Sequence, residues 1–335
     1  MHQRELYCGL LSYICTVKGR VLKSTGSWFL TEDEHGKIIS CRIRGQLRLR
    51  DIGSTNPIAV GDFVHFEMLE DGTGTILEIE DRRNYIIRKS VNLSKQTHII
   101  AANIDMAWLM VTPALPKTST GFIDRFIAAA ESFRIPTGLI FNKSDLFKDD
   151  LAHVQDDFIR IYEPLGYPCI KISTVTSEGM EDIRKAFQSK VNLLAGHSGV
   201  GKSSLLNILE PTLQLKTGII SKQHLTGKHT TTFAEMHSLG NQTYLIDTPG
   251  IREFVNIDFK PSEIGHYFVE FRERMNQCHF NNCLHENEKK CAIKLAVEKG
   301  EINPERYCLH QRLENIQKPL WSLSRRKFMY GISTV

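Results

Sequence analysis

The 335-residue sequence predicts three parts in series: an all-β barrel, an α/β domain with a largely parallel sheet, and a helix-rich segment stapled by a metal. Three observations carry this multidomain reading. Short runs of period-two polarity, punctuated by turn residues, fill roughly residues 10–90. From about residue 98 apolar strand-like runs alternate with helical patterns, as a parallel sheet covered on both faces requires. After about residue 260 the text becomes polar and helix-rich and carries a cluster of cysteine and histidine. The boundaries fall at 1–95, 96–258 and 259–335.

The length leaves room for about two domains with an appendage, and 41% hydrophobic with 24% charged residues is ordinary for a chain with a buried core. A net charge of +4 permits contact with nucleic acid without arguing for it. No run of eighteen apolar residues occurs, so no transmembrane helix is expected. The opening MHQRELYCGLLSYICTVKGR lacks a basic n-region and a small-residue cleavage site, which predicts a cytoplasmic protein without membrane contact.

In the first part, SYICTVKGRVLKS, SWFLTEDEHGKIISCRIRG and NPIAVGDFVHFEMLEDGTGTILEIEDR read as strands. Val64, Phe66 and Met68 alternate with polar positions, and Gly36, Gly45, Gly61, Gly72 and Gly74 fall where turns are needed. A small closed barrel follows; periodicity does not decide which, although an OB-fold has the size and strand count. Arg42, Arg44, Arg48 and Arg50 along CRIRGQLRLR can follow a phosphate backbone or simply protect a solvated edge. The basic tail LWSLSRRKFMYG, with Trp321 and Phe328, is equally open between base stacking and packing.

In the second part, DMAWLMV, TGLIFN, YPCIKIS and NLLAG are the strands, while FIDRFIAAAESFR and GMEDIRKAFQSK are helical. GHSGVGKS at 196–203 fits G-x-x-x-x-G-K-[ST] between an apolar run and a helical one, the context a phosphate loop requires. Gly196 and Gly201 let backbone amides across His197, Ser198, Gly199 and Val200 turn toward anionic oxygens at a helix N-terminus. Lys202 would reach the β/γ-phosphates, Ser203 would ligate Mg²⁺, and Ser204 completes the first turn.

Four further motifs complete the nucleotide site. DTPG at 247–250 offers Asp247 to the magnesium shell and the Gly250 amide to a γ-phosphate oxygen. NKSD at 142–145 offers Asp145 to the two donors on the guanine edge, which adenine lacks. Lys143 can lie along the base, Ser144 completes the tetrapeptide, and Asn142 can tie this loop to the phosphate loop. Ser173 and Thr174 follow the strand YPCIKI, where a backbone amide can meet the guanine O6. Among the threonines of GKHTTT, Thr231 is the first choice for binding Mg²⁺, with Thr230 and Thr232 as alternatives.

The order of these motifs is permuted. Ordinarily the phosphate loop precedes the switch threonine, DTPG, NKxD and the serine loop; here NKSD and Ser173 come first. The same sheet forms if the usual termini are joined and the chain is reopened between DTPG and the strand before NKSD. The residues after DTPG then run directly into the C-terminal segment, which a change on hydrolysis could move as a unit.

In the third part, CHFNNCLHENEKKC gives C-x₄-C-x-H-x₅-C: Cys278, Cys283, His285 and Cys291. Three thiolates and one imidazole close a tetrahedral zinc shell and leave no open position, so the site is structural. His279 and Cys308 are bystanders. Of the remaining cysteines, Cys8, Cys15, Cys41 and Cys169 are scattered and read as small apolar residues.

With the barrel, AANID, NKSD, GHSGVGKSSLLN, HTTT, DTPGIREF and the cysteine cluster in hand, nearly the whole chain resembles the RsgA/YjeQ family of ribosome small-subunit-dependent GTPases. The resemblance implies an N-terminal OB-fold, a central circularly permuted P-loop GTPase and a C-terminal zinc-binding helical domain. It further implies a monomer that binds the small (30S) ribosomal subunit and its 16S rRNA, acts in late subunit maturation and is stimulated by that subunit. Many GTPases place a water-orienting Gln after DxxG, where this chain has Ile251, so unassisted hydrolysis is expected to be slow. His229, beside the switch threonines, is the catalytic candidate, a role the resemblance supports. Other readings are a GTP-regulated nucleic-acid-binding protein unrelated to ribosomes, a P-loop ATPase with a chance NKSD, and a metal hydrolase at the cysteine cluster.

Overall fold

The computed structural model describes residues 16–43, 57–89, 97–147, 152–214, 234–247 and 259–316. The first part is a five-stranded barrel of β1 (Thr16–Ser24), β2 (Phe29–Asp33), β3 (Ile38–Ile43), β4 (Phe63–Met68) and β5 (Gly74–Ile79). Its order is β1-β2-β3-β5-β4, and β4 returns to pair with β1, so the sheet closes. Only β3–β5 is parallel among these pairs. The alternation read from sequence fills the interior with Val21, Phe29, Ile39, Cys41, Val64, Phe66 and Ile76. Gly72 makes the turn before β5 (φ +81°), as expected. Gly74 does something else: it opens β5 where an added Cβ would lie 2.6 Å from Cys41 Sγ, so it is small because the barrel is narrow there. Gly45 lies outside the described residues, as do Arg44, Arg48, Arg50, Trp321, Phe328, Cys8 and Cys15.

A hairpin of β6 (Tyr85–Lys89) and β7 (Thr97–Ala102) leads into the α/β part. There β8 (Met106–Val111), β9 (Thr137–Phe141), β10 (Cys169–Lys171), β11 (Val191–Gly196), β12 (Glu235–Ser238) and β13 (Tyr244–Asp247) run in the order β10-β9-β8-β11-β13-β12. All pairs are parallel except β12–β13. Traced from β11 through β12 and β13 and then through β8, β9 and β10, this is the sheet of an unpermuted GTPase; the chain merely enters it at β8.

The central strands β8, β9 and β11 are buried along their whole length, which explains their unbroken apolar text. Alternate residues feed two cores. Ala107, Leu109 and Val111 face α1 (Thr120–Ser132) and α2 (Ala152–Tyr162), and Met106, Trp108 and Met110 face α3 (Met180–Phe187) and α4 (Lys202–Leu209). Ser119 caps α1, its Oγ accepting from the Phe122 amide at 3.3 Å.

The barrel joins this sheet at one edge. Lys23 of β1 pairs with Glu235 of β12, and the Arg20 guanidinium lies between the rings of Phe63 and Tyr244. In the C-terminal part, α8 (Pro304–Ile316) packs on α1, and α5 (Pro261–Ile264), α6 (Val269–Arg272) and α7 (Ala292–Glu298) share the same core through Ile264, Phe271 and Ile293, as α8 does through Leu309. No helix among the described residues is long and apolar enough to cross a membrane.

Candidate functional site

The loops that follow β11 and β9, and the turn after β10, meet at the C-terminal edge of the parallel strands, where open α/β sheets receive ligands. β11 ends at Gly196 and α4 starts at Lys202, so residues 197–201 form the turn between them. Gly201, at φ +106°, has no room for a side chain: an added Cβ would lie 2.2 Å from Asn142 Nδ2. Val200 is buried and pins the loop, whereas Ser198 and Gly199 are exposed and His197, Ser203 and Ser204 are half-buried. The His197 ring stacks on Phe122 of α1 with centroids 3.9 Å apart.

Asn142 is the junction of the site. Fully buried, it donates from Nδ2 to the Val200 carbonyl at 2.7 Å and accepts at Oδ1 from the Thr174 amide at 3.2 Å. One amide side chain thus holds the NKSD loop, the phosphate loop and the loop after β10 together. Buried Gln155 of α2 supports it from below, donating to the Asn142 carbonyl at 3.3 Å.

Lys143 takes a left-handed backbone conformation (φ +67°), and its ammonium donates to the Leu115 carbonyl. The Ser144 hydroxyl donates to Glu178 at 2.9 Å. The Ser173 hydroxyl donates to Asp145 Oδ1 at 2.5 Å and accepts from the amides of Val175 and Thr176. Ser173 therefore orients the carboxylate through its side chain, a contact that the amide-to-O6 expectation did not include.

Lys202 curls over its own loop and donates to the carbonyls of Gly196 and His197 at 2.7 and 2.9 Å. Burial lowers its pKa, and nearby Asp247 at the end of β13 partly offsets this. Burial likewise pushes the Asp247 carboxyl up, against the pull of Lys202. Each charge is thus poorly hydrated, a setting that a polyanion with a divalent cation would relieve on both sides. His229, Thr230, Thr231, Thr232, Gly250 and Ile251 lie outside the described residues.

In the C-terminal part Cys278, Cys283, His285 and Cys291 converge, with all ligand atoms within 4.8 Å of one another. His285 Nδ1 lies 3.6 Å from Cys278 Sγ and 3.4 Å from Cys291 Sγ, so this nitrogen faces the centre. The Glu288 carboxylate accepts from the amides of Leu284, Glu286 and Asn287 and shapes the loop between the ligands. Burial pushes the Cys283 thiol up to about 12, so this sulfur stays protonated unless a cation supplies the opposing charge. The cluster can hold one metal. His279 and exposed Cys308 are outside it.

Sequence reading did not find the residues that connect this cluster to the rest. Arg306 of α8 pairs with Asp124 of α1 and Glu270 of α6, all three buried. The available signal was the i, i+3, i+4, i+7 spacing of Arg306, Leu309, His310 and Leu313, which marks the buried face of α8.

Comparison with known proteins agrees with this architecture. A family model described as RsgA GTPase matches residues 79–256, and one described as RsgA N-terminal domain matches 18–76. A third, described as 50S ribosome-binding GTPase, matches 192–325. The small ribosomal subunit biogenesis GTPase RsgA of Bacteroides fragilis is 50% identical over 291 residues, covering 87% of this chain and 94% of the relative. Its namesake in Flavobacterium johnsoniae is 50% identical over 292 residues, covering 86% and 90%. Among solved structures, YjeQ from Thermotoga maritima superposes with a TM-score of 0.76 at 34% identity, covering 93% of this chain and 100% of that one. YloQ, described as a circularly permuted GTPase, gives 0.70 at 28% identity, covering 95% and 99%.

Proposed function

This chain belongs to the RsgA GTPase family and is a GTP-hydrolysing enzyme; from that premise we propose that its turnover is coupled to late maturation of the small (30S) ribosomal subunit. The supporting observation is the Asn142 junction, because a side chain that gathers three loops at one sheet edge makes a single nucleotide pocket from motifs scattered over the chain. The family's curated relatives carry small-subunit biogenesis in their names.

In this proposal Asn142, Lys143, Ser144, Asp145, Ser173 and Thr174 receive the guanine, and residues 196–204 cradle the phosphates. Ser203, Asp247 and Thr231 hold the Mg²⁺ that accompanies the nucleotide, and the Gly250 amide senses the γ-phosphate. Asp145, braced by Ser173, accepts from the base. Lys202 exchanges its two carbonyl partners for phosphate oxygens. His229 orients the attacking water, the task that Ile251 cannot perform. The cysteine cluster takes zinc, in keeping with three sulfurs and one nitrogen. The three-part division at 1–95, 96–258 and 259–335, a monomeric state, cytoplasmic location and contact with 16S rRNA complete the proposal.

The test is GTP turnover alone, with purified small subunits and with large subunits, the last because one matching family model is named for the 50S particle. Stimulation by the small subunit alone is expected, and lost in His229→Ala. Equal turnover in all three conditions would sink the ribosomal reading. Cosedimentation with duplex DNA in place of subunits would favour a nucleic-acid-binding role instead. On the barrel the Arg42 guanidinium lies 3.7 Å from the centroid of the Trp28 ring, a pairing of cation and aromatic face that such a role would use.

A further inference from the structure

Arg306 is 1% exposed and makes three charge-assisted hydrogen bonds. Its Nη1 donates to Asp124 Oδ1 at 2.5 Å, Nε to Glu270 Oε1 at 2.5 Å and Nη2 to Glu270 Oε2 at 3.1 Å. The guanidinium also lies over the rings of Phe268 and Tyr162. Beside it, Thr120 at the start of α1 donates its hydroxyl to Glu305 at 3.2 Å. A buried ionic triad is a poor way to gain stability, since well-packed apolar residues of similar volume do as well or better. What it adds is register: an apolar seam between α1 and α8 could slide, whereas a forked guanidinium between two fixed carboxylates cannot.

The register matters because of what α1 carries on another side. Phe122 lies two residues before Asp124, a rotation of about 200° on a helix, so the two side chains point to different neighbours. Asp124 faces the C-terminal helices, and Phe122 carries the ring of His197 in the phosphate loop. At the other end, Tyr307, adjacent to Arg306, donates its hydroxyl to the His285 carbonyl at 2.7 Å, within the cysteine–histidine cluster.

We infer that Arg306 is a positioning residue of the nucleotide site, fixing through Asp124 the helix on which Phe122 supports the phosphate loop. The metal-stapled segment is then a structural component of the nucleotide pocket and not only an appendage. The inference rests on the reading of residues 196–204 as a phosphate loop.

The experiment uses the full-length, metal-loaded protein, with metal content checked by atomic emission and folding by circular dichroism. Steady-state GTP kinetics and binding of a fluorescent GDP analogue are compared for wild type, Arg306→Lys, His197→Ala and the double variant. Arg306→Lys keeps the charge and loses the fork. It is expected to raise KM and weaken analogue binding about fivefold, with kcat changed less and one metal per chain retained. His197→Ala weakens binding by a similar factor, and the double variant falls short of the product of the two by about threefold or more, because both disturb one loop. Unchanged affinity in a folded Arg306→Lys, or effects that multiply in full, would overturn the inference. If Arg306→Lys does not fold, Asp124→Asn carries the same two outcomes. Lys202→Ala is the control for the premise: wild-type analogue binding in that variant refutes the phosphate-loop reading itself, separately from any result at Arg306.

Discussion

Asn142 Nδ2 lies 2.7 Å from the carbonyl oxygen of Val200, a hydrogen bond between residues 58 positions apart that joins the NKSD loop to the glycine-rich loop after β11. Replacing Asn142 by Ala leaves that buried carbonyl and the half-buried Thr174 amide without their partner, a loss of about 1–3 kcal/mol. Affinity for GDP is expected to fall about tenfold or more, while the thermal midpoint shifts only modestly. Isothermal titration with GDP checks this, and undiminished affinity would show that the loops hold their places unaided.

Asp145 should carry the choice of base. With the Ser173 hydroxyl 2.5 Å from its Oδ1, the carboxylate is oriented before any nucleotide arrives. Asp145→Ala is expected to remove most of a guanine-over-adenine preference of about 10⁴. Ser173→Ala should lose less, on the order of tenfold, because the carboxylate remains but is no longer aimed. Competition of GTP and ATP against a labelled GDP analogue measures both; a preserved preference in Asp145→Ala would move base recognition elsewhere.

Removing the metal should release the C-terminal segment before the rest unfolds. Cys278, Cys283, His285 and Cys291 sit in turns between short helices whose core is shared with α1, and the raised Cys283 thiol will not stay ionised without a cation. Chelation is expected to take up protons, expose the region beyond residue 259 to protease and lower the thermal midpoint. Cys283→Ser should do the same without chelator. A chelated protein that resists proteolysis there would argue that packing alone holds the segment.

The barrel should weaken in acid at one identifiable seam. Lys18 of β1 and His65 of β4 stand opposite each other where the barrel closes, and Glu80 bonds to both, at 2.8 and 2.9 Å. The hydrogen bond from Lys18, more than any other contact, holds the Glu80 carboxyl below the ordinary value of 4.5. A depressed carboxylate contributes stability that is present above its unfolded value and is lost as pH falls through the folded one. Glu80→Gln should therefore be less stable than wild type at pH 7, and the gap should close below about pH 4. Thermal unfolding at both pH values tests this; a gap of constant size would rule out Glu80 titration as its source.

Much of the fold, and the motifs that nominate the candidate site, were legible because they are written in short windows. A phosphate loop needs its glycines and lysine within eight consecutive residues, since one backbone turn does the work. The metal spacing is equally local, and both it and the alternation of strands with helices could be read directly. Gly74 was misread as a turn because a glycine needed for close approach of a cysteine sulfur looks the same in sequence as one needed for a bend.

Ser173 was nominated for a neighbouring amide and not for its bond to Asp145, and Arg306 was not nominated at all. α8 is polar enough in sequence that an arginine on it reads as solvent-facing. What buries it is an acid 182 positions away on α1 and another 36 positions away on α6. The sequence by itself determined which chemistry the chain can perform, because nucleotide and metal motifs are properties of contiguous backbone. Only the tertiary structure decided that the helices flanking the cysteine–histidine cluster and the glycine-rich loop brace the same helix, because that depends on which layers pack together, and no sequence window contains them both.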